Sequence, residues 1–547
     1  MTRHDRIAGA QGQVYDLLVV GGGITGAGVA REAAWSGLST LLVEKNDYAA
    51  GTSSRSSKLL HGGLRYLENY EFHLVFEAVR ERMEGYRLAP HLVEPIPFLF
   101  PQYVHDRPGI NILSLGLWLY DAMAGLQTFG LHKRLSAAQF AEVAPGIRTE
   151  GLRGGFRYWD ARTDDARLTL EIILDAQQLG ATTLNRMSVE KAQRDAEGLW
   201  NCELADELTG ERLTVRARSV VIAAGAWLDA VAPIFEGGEP RKRMRPTKGV
   251  HLLVPRSRLP IRETMVVMHP RDKRVSFAIP IDDHVVIGTS DTDHPQLSLE
   301  PGVSADDVTY MLEGVNHLFP DAHLTAADVY TSYAGLRPLV FEGEKAESQV
   351  SREHDVFTVA ESVFAIAGGK LTTWRIMASD VLRPLMKARK AKGFKPERKL
   401  RALYRRVLPG VGTYKSRAEI LSSTDNIARQ HNLPAEAVRT LLQAYGARTQ
   451  AVIEFAKTRP DGFQTLGKGQ LIAGVFDFAV AHEDALTLDD LMRRRTPLFY
   501  NEPDQGRAAA AVVARRVAPM LGWDDTRVQQ EVAAYQTMCD LYRPQVS

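Results

Sequence analysis

Residues 15–45 read YDLLVVGGGITGAGVAREAAWSGLSTLLVEK, and this stretch restricts the fold more than any other. Leu17 to Val20 form a short apolar run, the pattern of a strand buried on both faces of a parallel sheet. Gly21-x-Gly23-x-x-Gly26 follows at once, and Ala27, Ala30, Ala33 and Ala34 predict a small-residue helix that stops at Gly37. Leu41 to Val43 predict a second strand, closed by Glu44. Without side chains, Gly21 can turn tightly, Gly23 can admit a pyrophosphate, and Gly26 can bring helix and strand close. A carboxylate about 20 residues further on is placed for a ribose hydroxyl. The alternative is a glycine-rich turn in some other βαβ unit, which does not call for strand, helix, second strand and acid together. The motif therefore reads as dinucleotide-binding.

The glycines do not distinguish FAD from NAD, but their place near the start of a long chain leans toward FAD. At 547 residues the chain predicts two to four domains with ample core. The net charge of +1 gives no global pull toward nucleic acid, and none is expected as a partner. Cys202 and Cys539 are the two cysteines and form no C-x-x-C, which excludes a cysteine-built iron–sulfur or zinc site and suits a reducing compartment. The first residues, MTRHDRIAGAQGQ, have no apolar signal core, and no apolar run reaches the length of about 18 residues that spans a bilayer.

After Glu44 come the hydroxyls of Thr52, Ser53, Ser54, Ser56 and Ser57, able to bind phosphate oxygens at a helix entry, and then SSKLLHGGLRYLE. That string closely resembles the signature of FAD-dependent glycerol-3-phosphate dehydrogenases, within the D-amino-acid-oxidase-like flavoprotein superfamily. Further matches recur down to DLMRRRTPL near Leu498: KGVH at 248–251, GTSD at 288–291, YAGLRPL at 333–339 with SRE at 351–353, and FAIAGGKLTTWR at 364–375. The resemblance implies an α/β fold with a discontinuous Rossmann-like FAD-binding domain (1–90, 150–240 and 335–390), an antiparallel-sheet substrate domain (91–149 and 241–334) and a C-terminal helical domain (400–547). The residues agree with this division. Glu190 to Val215 read as a β-meander, Ser219 to Ala224 as a buried strand ending in glycine, and HLLVP, VSFAIP and HVVIGTS as paired antiparallel strands. Beyond a basic linker at 388–399 the chain becomes helix-dominated, with Thr487 and Asp490 placed as a capping box.

Two helices matter for function. Phe72, Phe76, Val79, Met83 and Tyr86 recur at helical spacing and predict a core-facing stripe. GINILSLGLWLYDAMAGLQTFGL at 109–131 is apolar almost all round, so a buried substrate-domain helix and a helix lying in a membrane interface both remain open. Arg493, Arg494 and Arg495 read as structural ion pairs in preference to lipid-binding groups, and the DTDH run as a polar turn in preference to a metal site; no metal is expected.

By resemblance, FAD is bound by Gly21, Gly23, Ile24, Thr25, Gly26, Glu44 and Lys45; by Thr52, Ser53, Ser54, Ser57, Lys58, Leu59, His61 and Gly62; by Ala224, Gly225 and Trp227; and by Gly335, Arg337, Gly368, Gly369, Lys370, Leu371 and Thr372. No flavin-attachment motif is recognised, so the linkage is expected to be non-covalent. The substrate implied is sn-glycerol 3-phosphate, oxidised to dihydroxyacetone phosphate, with Arg65, Tyr66, Arg274, Thr289, Arg337, Arg352 and Lys370 as its ligands. A phosphate dianion calls for several cations, and arginine forks match its geometry. His61 and His251 are alternative bases, Lys370 stabilises developing charge, and Arg337 is counted with them as catalytic. The family further implies a quinone acceptor and a peripheral enzyme on the cytoplasmic face of a bacterial inner membrane; a homodimer is compatible with this. A soluble glycerophosphate oxidase passing electrons to oxygen, an amine or amino-acid oxidase of the same fold, and a non-enzymatic flavin scaffold are the alternatives.

Overall fold

The computed structural model describes residues 3–64, 71–107, 109–124, 129–237, 241–341, 343, 353–391, 393–398, 400–468 and 471–544. Its first layer is a six-stranded sheet in the order His354–Ala360, Val363–Gly368, Val220–Ile222, Leu17–Val20, Thr40–Val43 and Thr182–Leu184. All neighbours are parallel except the edge strand His354–Ala360. The apolar run at 17–20 is central because both its faces are covered. Leu17 and Val19 pack on the helices Ile24–Trp35, Asp165–Gln178 and Trp374–Ala391, while Leu18 and Val20 pack against Trp200, Cys202, Leu204 and Val215 of a four-stranded meander sheet. Each such side chain contributes about 1.5–3 kcal/mol on burial.

The second body is a ten-stranded, mostly antiparallel sheet. His251 to Pro255 pair with His284 to Gly288, which pair in turn with Phe277 to Ile281, as the sequence pattern predicts. One domain boundary moves. Leu152–Thr163, placed by sequence in the FAD domain, pairs along its whole length with Val93–Tyr103 and belongs to the large sheet. Leu59–Leu60 joins the same sheet, so the signature string crosses from one body to the other. The two strands at 93–103 and 152–163 lie far apart in sequence, and local pattern cannot announce such a pairing.

The C-terminal helices lock onto both bodies through the run at 493–495. The capping box forms: Asp490 N donates to Thr487 Oγ1 at 3.3 Å and Thr487 N to Asp490 Oδ2 at 3.1 Å. The three arginines beyond it are buried. Arg494 and Arg495 both hold Asp47 at 2.7 Å, and Arg493 reaches Glu300 at 3.0 Å. Burial would raise the Glu300 carboxyl, but Arg493 and Arg55 hold it down at about 2. These cations are structural.

Two helices differ from the simple periodic reading. In Phe72–Leu88 the buried stripe is Leu74, Val75, Ala78, Val79 and Arg82; Phe72 and Phe76 point outward. The helix Ile110–Met123 has two apolar faces. Leu113, Leu117 and Tyr120 are inside, whereas Ile112, Leu115 and Trp118 are 67%, 71% and 54% exposed. Among the described residues no helix is long and apolar enough to cross a membrane.

His284 provides a stability test. Burial, reinforced by Arg162 and Lys468, pushes its imidazole from 6.5 down to about 3. Below pH 6.5 the unfolded chain therefore binds a proton that the folded chain refuses, and this part of the stability falls as pH falls toward 3. One such group costs about 1.4 kcal/mol between pH 7.5 and 5.5. His284→Gln is expected to lack that loss, so its stability relative to the parent in denaturant should rise by this amount over the interval. A difference independent of pH would show that His284 titrates alike in both states.

Candidate active site

The glycine loop sits at the carboxyl end of the central strand, where an open α/β sheet offers its crevice. Gly21 has φ +115°, and a Cβ there would lie 2.5 Å from the Ala223 carbonyl oxygen. A Cβ on Gly26 would lie 1.9 Å from the Gly21 carbonyl oxygen, so glycine is obligatory at both positions. Ser53 Oγ accepts from the Ile24 amide at 2.9 Å, placing a hydroxyl beside the positive end of the helix. The Glu44 carboxylate accepts from the Gly22 and Asn46 amides at 2.7 and 2.8 Å. Burial raises its pKa, and those two amides oppose the rise. A loop with no room for a Cβ at Gly21 or Gly26, a helix N-terminus and a half-buried carboxylate fit the pyrophosphate and ribose of FAD. Ala224, Gly225 and Trp227 follow the adjacent strand Val220–Ile222, with the Trp227 ring 3.2 Å from where a Cβ on Gly51 would stand.

A cavity of about 880 Å³ opens between the two bodies. Thr52, Ser57, His61, Gly369, Lys370, Leu371 and Thr372 line it from loops and turns, and Leu59, His251, Arg274, Thr289, Gly335 and Arg337 from the strands of the large sheet and their ends. These residues come from segments up to about 320 positions apart, and the fold brings them to one space. Arg337 Nη1 donates to Asp291 Oδ1 at 2.8 Å, and its Nη2 donates to Thr289 Oγ1 and to the Ser290 carbonyl, both at 2.9 Å. Arg274 donates to the Asp291 carbonyl, so the two guanidiniums are held around one residue. Lys370 follows Gly368 and Gly369, with φ +78° and +80°, at the turn into the helix Trp374–Ala391.

His251 and His61 both face this cavity. The His251 ring stacks on Tyr333 with centroids 4.5 Å apart, and its Nε2 is 2.9 Å from Ser57 Oγ; its buried Nδ1 has no hydrogen-bond partner among the described residues. Burial, then Arg337 and Lys58, lowers its pKa well below 6.5. It is therefore neutral near pH 7, in the form that accepts a proton.

Some of the expected site residues lie elsewhere. The Lys58 ammonium turns away from the cavity, 2.7 Å from Asp165 Oδ1 and 4.7 Å from the centre of the Tyr500 ring. Ser54 is buried, and its carbonyl accepts from Tyr500. Lys45 is exposed, whereas Thr25 is the second residue of the helix and stays at its N-terminus. Arg65, Tyr66 and Arg352 fall outside the described residues. Sequence reasoning missed Arg55, Arg107, Asp160 and Asp291, all of which line the cavity. Arg55 within TSSRSS and Asp291 within GTSD stood inside recognised strings and could have been found; Arg107 and Asp160 carry no local signal.

Comparison with known proteins agrees with this geometry. Residues 16–373 match the family described as FAD dependent oxidoreductase, and residues 407–528 match the C-terminal domain of alpha-glycerophosphate oxidase. The chain is 37% identical over 526 residues to a glycerol-3-phosphate dehydrogenase of Mycobacterium leprae, covering 95% of this chain and 87% of that protein. It is 34% identical over 447 residues to the aerobic glycerol-3-phosphate dehydrogenase of Staphylococcus aureus, covering 81% and 80%. The crystal structure of the glycerol-3-phosphate dehydrogenase from Bacillus halodurans complexed with FAD superimposes with a TM-score of 0.81 at 31% identity, over 100% of this chain and 99% of that one. Fold, cavity and sequence likeness together place this chain in the glycerol-3-phosphate dehydrogenase family of FAD-dependent oxidoreductases.

Proposed function

We propose that this protein oxidises sn-glycerol 3-phosphate at C2 to dihydroxyacetone phosphate and passes the electrons to a membrane quinone. The observation that carries this reading is the meeting of Arg274, Arg337 and Lys370 with two histidines on one cavity between the flavin crevice and the large sheet. Bound FAD supplies the hydride acceptor at N5. Arg337, held by Asp291 and Thr289, and Arg274 beside it bring positive charge and further N–H donors for the phosphate dianion. His251, kept neutral by burial and by the neighbouring cations, and His61, which lines the same cavity, are the alternative bases for the C2 hydroxyl proton. Lys370 supplies positive charge where oxygen becomes negative.

The same cavity reaches the molecular surface between Phe72, Ile112, Leu115 and Leu119. An exposed apolar rim around the mouth of a redox site suits a peripheral enzyme meeting quinone at the cytoplasmic face of a bacterial inner membrane. Oxygen is kept as the second acceptor because residues 407–528 match a domain of an oxidase family.

An anaerobic titration tests the reaction. Glycerol 3-phosphate should bleach the bound flavin, while glycerol and amino acids should not, and acid precipitation should release the flavin as free FAD. Bleaching by an amino acid alone would overturn the reading. Faster reoxidation by a short-chain quinone than by air selects the acceptor.

A further inference from the structure

The peptide unit joining His61 to Gly62 is gripped on both its polar atoms. Its carbonyl accepts from Thr372 Oγ1 at 3.4 Å. Its N–H lies 3.1 Å from Tyr120 Oη and 3.1 Å from Asp160 Oδ1. Those two groups are themselves tied, with Tyr120 Oη 2.9 Å from Asp160 Oδ1, and Arg82 closes the cluster by donating to Asp160 at 2.5 Å and to the Trp159 carbonyl at 2.8 Å. Arg82, Tyr120 and Asp160 are all buried, so these are hydrogen bonds sheltered from competing water. Space is as tightly set as the bonding: a Cβ on Gly62 would meet Tyr120 Oη at 2.3 Å and Val79 Cγ2 at 2.4 Å.

Four separate elements converge on one peptide plane. Arg82 comes from Phe72–Leu88, Tyr120 from Ile110–Met123, Asp160 from Leu152–Thr163, and Thr372 from the turn after Lys370. The plane carries His61, whose ring faces the cavity. Tyr120 lies on the inner stripe of the helix whose outer face exposes Ile112, Leu115 and Trp118. We infer that Tyr120 and Asp160 are positioning residues for the reaction: they fix the orientation of the His61–Gly62 peptide, and with it the His61 side chain, by anchoring it to the apolar surface helix. This rests on the reading of the cavity as the substrate site with His61 as its base.

The test is Tyr120→Phe, which keeps the ring and removes only the hydroxyl. The rate of flavin reduction by glycerol 3-phosphate, measured anaerobically by stopped flow and expressed per bound flavin, should fall about tenfold. KM for glycerol 3-phosphate should change less than about twofold, since Arg274 and Arg337 belong to other segments. Tyr535→Phe is the control. Its hydroxyl donates to the Gln505 carbonyl in the C-terminal domain, so it should lower thermal stability and leave the rate per flavin unchanged. A Tyr120→Phe protein that is less stable but reduces its flavin at the parental rate would overturn the inference, because a purely structural role predicts that result. Should Tyr120→Phe hold no flavin, Asp160→Asn gives the same reading: a slower rate per flavin supports the inference and a parental rate overturns it. If the unaltered protein is not bleached by glycerol 3-phosphate, the substrate assignment fails, and that outcome is distinct from either variant result.

Discussion

Replacing Arg337 by alanine is expected to raise KM for glycerol 3-phosphate by between about 30-fold and several thousandfold, the equivalent of about 2–5 kcal/mol for a desolvated charge-assisted pair. The side chain is held on both Nη atoms by Asp291, Thr289 and the Ser290 carbonyl, so its charge is in place before substrate arrives and little entropy is lost on binding. The substitution also removes a cation from Asp291, whose side chain is only 13% exposed. Local rearrangement around Asp291 adds to the loss of the phosphate contact. Arg337→Ala combined with Asp291→Asn separates the two effects, because it removes the ion pair from both sides. If the phosphate is what Arg337 serves, the double variant keeps the raised KM while regaining thermal stability. An unchanged KM in the single variant, at full flavin content, would remove Arg337 from the phosphate site.

The second large effect concerns the membrane. Ile112→Ser, Leu115→Ser and Trp118→Ser together should release the protein from bacterial membranes into the soluble fraction. The unaltered protein should sediment with membranes, resist a high-salt wash and yield to detergent. Full burial of one such side chain contributes about 1.5–3 kcal/mol, so three partly exposed ones supply about 4 kcal/mol of attachment that salt cannot screen. Leu117 is fully buried and Trp118 is not, so a substitution at Leu117 would damage the core instead of testing the interface. The run at Arg493 to Arg495 can add no lipid attraction, since its charges are consumed by Asp47, Glu300 and Asp489. The triple variant should reduce a soluble dye at the parental rate and a membrane quinone more slowly. Recovery of the unaltered protein wholly in the soluble fraction without detergent would defeat the interface reading.

What the sequence determined by itself is whatever depends on near neighbours along the chain. The strand, glycine loop, helix and acid at 17–44 were legible because steric exclusion at Gly21 and Gly26 and burial on both faces leave their marks within 30 residues. The capping box at Thr487 was legible for the same reason, since its partner is three residues away. The signature string and its companions named the residues of the cavity without saying how they meet.

Tertiary structure decided the rest, because the deciding partners lie hundreds of residues apart. Lys58 stands inside the signature, yet Asp165 and Tyr500 claim its charge and turn it away from the cavity. The helix at 110–123 is apolar on every side in sequence, and only its packing shows that Leu113, Leu117 and Tyr120 face in while Ile112, Leu115 and Trp118 face out. Asp160 has no motif of its own; it matters because a strand pairing with residues 93–103 carries it beneath the amide of Gly62. His251 and His61 look alike in the chain, and it was burial beside Arg337 and Lys58, a property of the assembled core, that made His251 neutral. Periodicity and local sterics are written residue by residue, whereas desolvation and long-range pairing exist only once the chain has folded.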